Sequence, residues 1–524
     1  MSPSLAPTDT RGSGIGARLQ LIRGARWAFP AIMALALALR LWGLGFGLPY
    51  LYHPDEPFNV RVVQNMVKTG DLNPHFFTYP TLFYYIQALA YGAYSLVGAV
   101  RSPADTPSFV QLGFGTGMTP LPGAWLLGRA VSTALGTASV GLVYLIGRRL
   151  ADRRAVGLAA ALWMAVSPMN VSNSRLITPD MLLVFTILLA LLAIVQVYRR
   201  GYPRDYALAG AACGLAVAAK YNGALAISAL LLAHFLAPGR AGLRDRRLYL
   251  ALLLAAAAFT LSSPYVLLDF RSALDGLRYN ANHYTSGHPG MEGHALSYYL
   301  ATLWQVEGPA SALGALGILR GLCRRSRAVA LLAVFPAVYF PFISSLAVRN
   351  PRTLMPVTPF LFLLAALLFV ELLAQANRQA WLTVAIAALG FLSLALPLRQ
   401  TVLNAIQLTT VDSRETARVW LAENLPAGAR VCIEGYAPYL DPQRFSLQVV
   451  LRMIDHPAEW YVANGCQYLV FSQGMYKRYF REPTRYAQQV AAYEALFRAF
   501  EPLKVFQDGG YEIRIYCVHC HGSQ

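Results

Sequence analysis

The sequence predicts a polytopic α-helical membrane protein of about eleven transmembrane helices, with interfacial helices and a small C-terminal α/β domain on the outer side. Three observations predict this. Of 524 residues, 56% are hydrophobic and only 13% charged, whereas soluble domains carry about 25% charged residues. The apolar residues gather in runs of about 17 to 25, enough to cross a hydrocarbon core of about 30 Å, and these runs stop near Pro397. The C-terminal remainder, residues 398–524, is mixed in composition and large enough for one small core.

The net charge is +18, from 44 Lys and Arg against 26 Asp and Glu. Its distribution argues against nucleic acid as a partner. The cations cluster between apolar runs, at Arg148/Arg149/Arg153/Arg154, Arg199/Arg200/Arg204, Arg240/Arg244/Arg246/Arg247 and Arg320/Arg324/Arg325/Arg327. This is the positive-inside pattern of cytoplasmic loops. Residues 1–26 carry Arg18, Arg23 and Arg26, and no A-x-A-like cleavage site comes after the first apolar run, so this start is expected to be retained and cytoplasmic.

With the Arg clusters inside, the first helix (27 to 47) runs outward and the stretch YLYHPDEPFN (50 to 59) lies outside. One crossing, 123 to 147, then returns to the cytoplasm. TYPTLFYYIQALAYGAYSLVG (78 to 98) is left on the outer side as an interfacial helix, a depth that suits its tyrosines; the simpler reading, in which it spans, puts the RRLADRR run outside. Further crossings are expected near 155–171, 178–198, 205–219, 223–238, 248–264, 308–322, 328–346, 353–373 and 380–397. The membrane domain is therefore 27–397, multi-pass in the plasma membrane. Its 48–122 and 265–307 loops face the same outer compartment as the C-terminal domain.

In that domain, DSRETARVWLAENLPAG has Asp412 and Glu415 at capping-box spacing and an apolar face of Ala417, Trp420 and Leu421. RVCIEG and QYLVFS read as strands, TRYAQQVAAYEALFRAF as an amphipathic helix, and LKVFQDGGYEIRIYCV as a hairpin. No catalytic constellation is visible there, so support or acceptor recognition is its expected role.

Four constellations stand out. Asp55 and Glu56 sit in Pro54-Asp55-Glu56-Pro57 beside Tyr52 and His53. A solvated loop pair is the plainer reading, but two prolines stiffen this backbone, and a fixed carboxylate at the membrane face suits a general base. Asp180, in NSRLITPDMLLVF, either complements a helix dipole or is a second active-site carboxylate, with Arg175 as a phosphate or carboxylate partner. Lys220, in AVAAKYNGAL beside Tyr221, is an ionisable group between short apolar runs, a functional candidate unless it snorkels to the interface. Arg349 and Arg352, in VRNPRTLMPVTP, break the positive-inside trend by lying outside, where they would neutralise a phosphate or contact lipid headgroups.

Of six cysteines, Cys213 and Cys323 are membrane-region thiols, while Cys432, Cys466, Cys517 and Cys520 fall where disulfides form. The tail CVHCH (517 to 521) has the haem-attachment pattern; a disulfide, a metal site and free thiols are the other readings.

The HPDE-type loop after the first helix, the aromatic-proline segment FFTYPTLFYY with Tyr79, SRLITPD opening a later crossing, and a Lys between two short ones come in a familiar order. Over about 400 residues the chain resembles the family 39 glycosyltransferases of the GT-C superfamily, which includes protein O-mannosyltransferases and aminoarabinose transferases. The resemblance implies an inverting, integral-membrane hexosyl or pentosyl transferase. Its donor would be a polyprenyl-phosphate sugar and its acceptor a protein, lipid or glycan, met at the bilayer's outer face. Asp55 matches the acidic loop residue that acts as base or orients the acceptor, Glu56 its neighbour and Asp180 the second acidic position; a phosphate-clamp role extends to Lys220, Arg349 and Arg352. Where a Lys-Pro-Pro or His-Pro-Pro element is common, this chain has Thr78-Tyr79-Pro80-Thr81, which tells against an aminoarabinose donor.

The chemistry stands without the likeness. Inverting displacement at an anomeric carbon needs a base on one side and charge stabilisation on the departing phosphate. No cofactor is firmly predicted; Asp55, Glu56 and His53 are a sparse set for a divalent cation. A polytopic transporter or lipid flippase is the alternative, though no inverted repeat is visible; a scaffold that binds without reacting is the third class.

Overall fold

A computed structural model of the 524-residue chain describes residues 12–97, 108–239, 242–376 and 379–519. Arg240, Cys520 and His521, named above, lie outside the described residues.

The first part of the chain runs through α1 (Gly12–Leu41), α2 (Asp55–Thr69), α3 (Leu82–Val97), the hairpin β1 (Val110–Gly113) and β2 (Thr116–Met118), then α4 (Pro122–Ala151), α5 (Arg154–Val166) and α6 (Pro168–Asn173). It continues with α7 (Asp180–Arg199), α8 (Pro203–Ala219), α9 (Ile227–Leu236), α10 (Arg246–Ser262), α11 (Tyr265–Leu268), α12 (Phe270–Ser286) and α13 (Ala295–Glu307). Four more helices complete the membrane part: α14 (Pro309–Cys323), α15 (Arg327–Ser344), α16 (Thr358–Ala376) and α17 (Ala380–Thr409).

Among the described residues, five helices are long and apolar enough to cross a membrane, among them α4, α7, α15 and α16; shorter apolar helices such as α5 and α14 stand beside them. Most expected crossings coincide with a helix, and four expectations need correction. Helix α1 stops at Leu41, because the chain turns through Gly43 and Gly47, both at positive φ. The expected 223–238 crossing is a 3-10 turn, Tyr221–Ala226, followed by the ten-residue α9. The segment 265–307, expected as an outer loop, is mostly helix, α11 to α13. Helix α17 passes straight through the expected boundary at 397 and ends at Thr409, since Pro397 is tolerated within it.

Small residues bring the helices close. A Cβ on Gly210 or Gly214 of α8 would stand 2.1 or 2.2 Å from the carbonyls of Ala251 and Ala255 on α10, the close approach by which membrane helices pack.

After α17 come α18 (Ser413–Asn424), β3 (Arg430–Ile433), β4 (Ser446–Val449), α19 (Ala458–Ala463), β5 (Tyr468–Ser472), α20 (Gln473–Phe480), α21 (Ala487–Ala499), β6 (Glu501–Phe506) and β7 (Ile513–Cys517). The strands form one mixed sheet in the order β4-β3-β5-β7-β6, with β3 parallel to β4 and β5, and β7 antiparallel to β5 and β6. Alternation covers both faces. Val431, Ile433, Val470, Ile513 and Ile515 pack with α18, while Cys432, Leu469, Phe471 and Tyr516 pack with α21. Asp412 caps α18 by accepting from the Arg414 N–H, but Glu415 pairs with Arg418 and completes no capping box. Trp420 is only partly buried.

A disulfide joins Cys432 of β3 to Cys466, just before β5. Cys517 is also disulfide-bonded.

Candidate functional site

The stretch YLYHPDEPFN is anchored before it reaches the acids. Leu51 donates to Gly117 O of the β1–β2 hairpin. From the C-terminal domain, Arg418 covers the Tyr50 ring at 5.0 Å and Arg414 the Tyr52 ring at 3.7 Å. Asp55 and Glu56 then open α2; they are not in a proline-stiffened loop, because Pro54 takes the helical conformation of an N-cap. Negative charge in a first turn complements the helix dipole.

Adjacent helical positions diverge by about 100°, and the two carboxylates part. Glu56 turns inward and is fully buried. Arg129 of α4 holds both its oxygens, at 2.9 and 2.7 Å, and the Ile177 N–H donates to it at 3.1 Å. Asp55 turns toward an opening, where the Arg352 Nη1 lies 2.5 Å away.

Arg352 belongs to a 3-10 turn, Pro351–Leu354, capped by the Asn350 side chain. Its Nε also faces Asp180 at 4.0 Å. Asp180 is the first residue of α7 and accepts from the Lys220 Nζ at 2.9 Å. Lys220 sits where α8 breaks into the 3-10 turn, with its ammonium 5.6 Å from the centre of the Tyr79 ring. Asn222 donates to the Tyr339 hydroxyl, which donates to Thr353 O, tying the Lys220 turn to the Arg352 turn. Tyr221 donates to Phe77 O and supports the segment that carries Tyr79.

Asp55, Asp180, Lys220, Arg352 and Tyr79 thus form one cluster of two carboxylates and two cations, partly open to solvent. Burial alone would raise the Asp55 carboxyl, but Arg352 outweighs it and holds Asp55 below its ordinary range. Burial likewise keeps the His53 imidazole below its ordinary value, against the pull of Glu56 and Asp55; its Nδ1 is buried with no partner among the described residues.

Two expected members stand elsewhere. Arg175 is buried and donates to Leu39 O, so its guanidinium serves the α1 terminus and not Asp180. Arg349 binds Glu482 of the C-terminal domain and lies over Tyr298, so its charge is spent between the two parts of the chain. Among the described residues no group of three or more His, Cys, Asp or Glu is placed to hold a metal ion; Arg129 and Arg352 occupy the two carboxylates considered for one. Arg129 was missed in the sequence although its signal was there: an arginine inside the apolar run of α4, the same kind of anomaly as Lys220.

Residues 125–265, from α4 to α11, match the family described as dolichyl-phosphate-mannose-protein mannosyltransferase. Among solved structures, ArnT from Cupriavidus metallidurans in the apo state superposes with a TM-score of 0.55 at 16% identity, covering 96% of this chain and 100% of that one. The chain is thus similar to that family over this segment and shares the fold of ArnT over nearly its whole length. A second GT-C structure, the Archaeoglobus fulgidus oligosaccharyltransferase in its apo form, gives 0.53 at 12% identity over 94% and 75% of the two chains. ArnT bound to undecaprenyl phosphate gives 0.50 at 16% over 95% and 99%. At these identities the likeness establishes the GT-C fold. No curated protein matches the chain by sequence.

Proposed function

We propose that the chain is a membrane glycosyltransferase that moves a sugar from a polyprenyl-phosphate donor to an acceptor on the extracytoplasmic side. The observation that carries this reading is the Asp55–Arg352–Asp180–Lys220 cluster: it offers a base and a phosphate clamp within one side chain's reach of each other.

In the unliganded arrangement the two acids balance the two cations. An arriving phosphodiester adds one negative charge, and Arg352 and Lys220 are the cations available to meet it. As Arg352 turns to the phosphate, Asp55 loses the partner that keeps it a weak base. The acceptor oxygen then attacks the anomeric carbon, its proton passes to Asp55, and the bond from that carbon to the phosphate oxygen breaks. Polyprenyl phosphate leaves with the bond's electrons, stabilised by the two cations and needing no general acid. Asp180 holds Lys220 and Arg352 in place; Glu56, spent on Arg129, positions the first turn of α2.

An open apolar groove of about 570 Å³, lined by Leu303, Trp304, Ile318, Phe340, Val357 and Leu361, supports a lipid-linked donor. Val357 comes five residues after Arg352, so one segment borders both groove and clamp. ArnT, of the same fold, has been captured with undecaprenyl phosphate. For sidedness, the Cys432–Cys466 disulfide supports an extracytoplasmic C-terminal domain, because such bonds persist in oxidising compartments.

The test is incubation of the purified full-length protein in lipid with a polyprenyl-phosphate sugar labelled in the sugar. Transfer or donor hydrolysis by the wild type, lost in Arg352→Met, is the expected result. Movement of a solute with no turnover of donor would overturn it in favour of a transporter.

A further inference from the structure

We propose that Arg478 of α20 is the acceptor's anion anchor, so that the acceptor carries a phosphate or carboxylate beside its reacting group; this rests on the transferase reading above. The C-terminal domain reaches the site along one line of contacts. Phe58, one turn after Asp55 on α2, lies 6.4 Å from Phe114 between centroids, and Phe114 stands edge-on to Tyr436 at 5.2 Å. The Arg478 guanidinium lies 5.7 Å from the centre of that Tyr436 ring.

Tyr436 is held there against its own preference. Its φ is +64°, a left-handed conformation that bulky residues rarely adopt, and such strain persists only where the surroundings over-determine it. Its N–H donates to Phe114 O at 2.7 Å and its carbonyl accepts from the Ser472 hydroxyl at 2.9 Å. A Cβ on Gly474 would stand 2.8 Å from the Tyr436 side chain.

On the other side, Arg478 packs against Gly290, where a Cβ would fall 2.4 Å from its own. His288, two residues earlier, is 5.3 Å from His283 between ring centres. His288 feels Arg478 and His283 as cationic neighbours and Asp55 and Glu292 as acids, and burial together with the cations keeps its imidazole low. The Tyr436 phenol, pushed up to about 12 by burial, likewise lies in the fields of both Arg478 and Asp55. Phe58, Phe114, Tyr436 and Arg478 therefore form one line of contacts from the first turn of α2, and Tyr436 and His288 lie within the field of Asp55.

Among the described residues the ion pairs of this junction leave over both Arg478 and Arg481, and Arg478 is the one that lies over the Tyr436 ring. At the same junction Arg349 takes Glu482 and Arg485 takes Glu292. Arg478 donates to Gly474 O at 3.0 Å and has no carboxylate partner among the described residues. Since Arg352 and Lys220 face the donor's phosphate, the Arg478 guanidinium, which also hydrogen-bonds the Tyr436 phenol that feels Asp55, is left for a second anion, and a planar fork suits a phosphate or carboxylate.

The experiment uses the full chain in lipid, a labelled polyprenyl-phosphate sugar, and a membrane extract divided into anionic and neutral, lipid and aqueous fractions. Label should enter an anionic fraction, and lipid or aqueous phase identifies the source of the anion. Inorganic phosphate should compete with that acceptor. Arg478→Ala should raise the acceptor KM at least tenfold and abolish phosphate competition, with Arg478→Lys intermediate; a merely structural role would not move the competition. Label confined to neutral acceptors, or an unchanged KM in Arg478→Ala, overturns the anchor. Failure of the wild type to consume donor at all overturns the transferase reading instead.

Discussion

Arg352 bridges the two acidic positions of the site, 2.5 Å from Asp55 on α2 and 4.0 Å from Asp180 on α7. These residues are separated by 125 positions in sequence, and a single guanidinium from a third segment brings them into one electrostatic unit.

If Asp55 is the base, Asp55→Asn lowers the transfer rate by about 10³-fold, within the range typical of general-base loss. Its side chain is partly exposed, so the melting temperature in detergent should stay within a few degrees of wild type. Full activity in Asp55→Asn would assign the proton to another group.

Glu56 and Arg129 should behave as structure. Removing one partner of a fully buried pair strands the other charge, at a cost of about 3–5 kcal/mol. Arg129→Met is therefore expected to destabilise more than the combined Arg129→Met, Glu56→Gln variant, read as thermal melting of the detergent-solubilised protein. A double-variant loss equal to the sum of the two single-variant losses would mean that the pair is not coupled.

Glu434 gives the C-terminal domain a pH dependence of definite sign. Burial pushes its carboxyl from 4.5 up to about 7, against hydrogen bonds from the Met453 and Ser472 N–H groups and the Tyr493 hydroxyl. The folded chain then holds a proton that the unfolded chain has released, so stability falls as pH rises from about 4.5 to 7. Each pH unit across that window removes about 1.4 kcal/mol, and the whole loss is on the order of 3 kcal/mol. Hydrogen-exchange protection of β5, corrected for intrinsic exchange, should decline over that window. Tyr493→Phe removes a donor to the charged form and should carry the decline to higher pH.

Replacing both Cys432 and Cys466 by Ser opens a link across 34 residues and should cost the C-terminal domain about 3–4 kcal/mol, seen as faster proteolysis between β3 and β5. Thiol labelling of unreduced cells should leave Cys432 and Cys466 unmodified. A reporter fused after Thr410 should be extracytoplasmic and one after Arg149 cytoplasmic; a cytoplasmic result after Thr410 would reverse the proposed sidedness.

The sequence by itself determined what composition and local pattern can carry. Long apolar runs require helices in lipid, and most of the expected helices and the β6–β7 hairpin were legible for that reason. Asp55, Asp180, Lys220 and Arg352 were legible as individuals, because each is an ionisable group that breaks an apolar or positive-inside pattern. Only the tertiary structure decided which of them meet. Arg175 and Arg349 have the same charge and similar settings in sequence as Arg352, yet one binds a carbonyl of α1 and the other a carboxylate of the C-terminal domain. Pairing depends on three-dimensional distance between segments more than a hundred residues apart, which no local pattern encodes. The same holds for Glu56, turned inward by one helical step from Asp55, and for Arg478, an ordinary surface arginine until the fold sets it beside Tyr436 and His288.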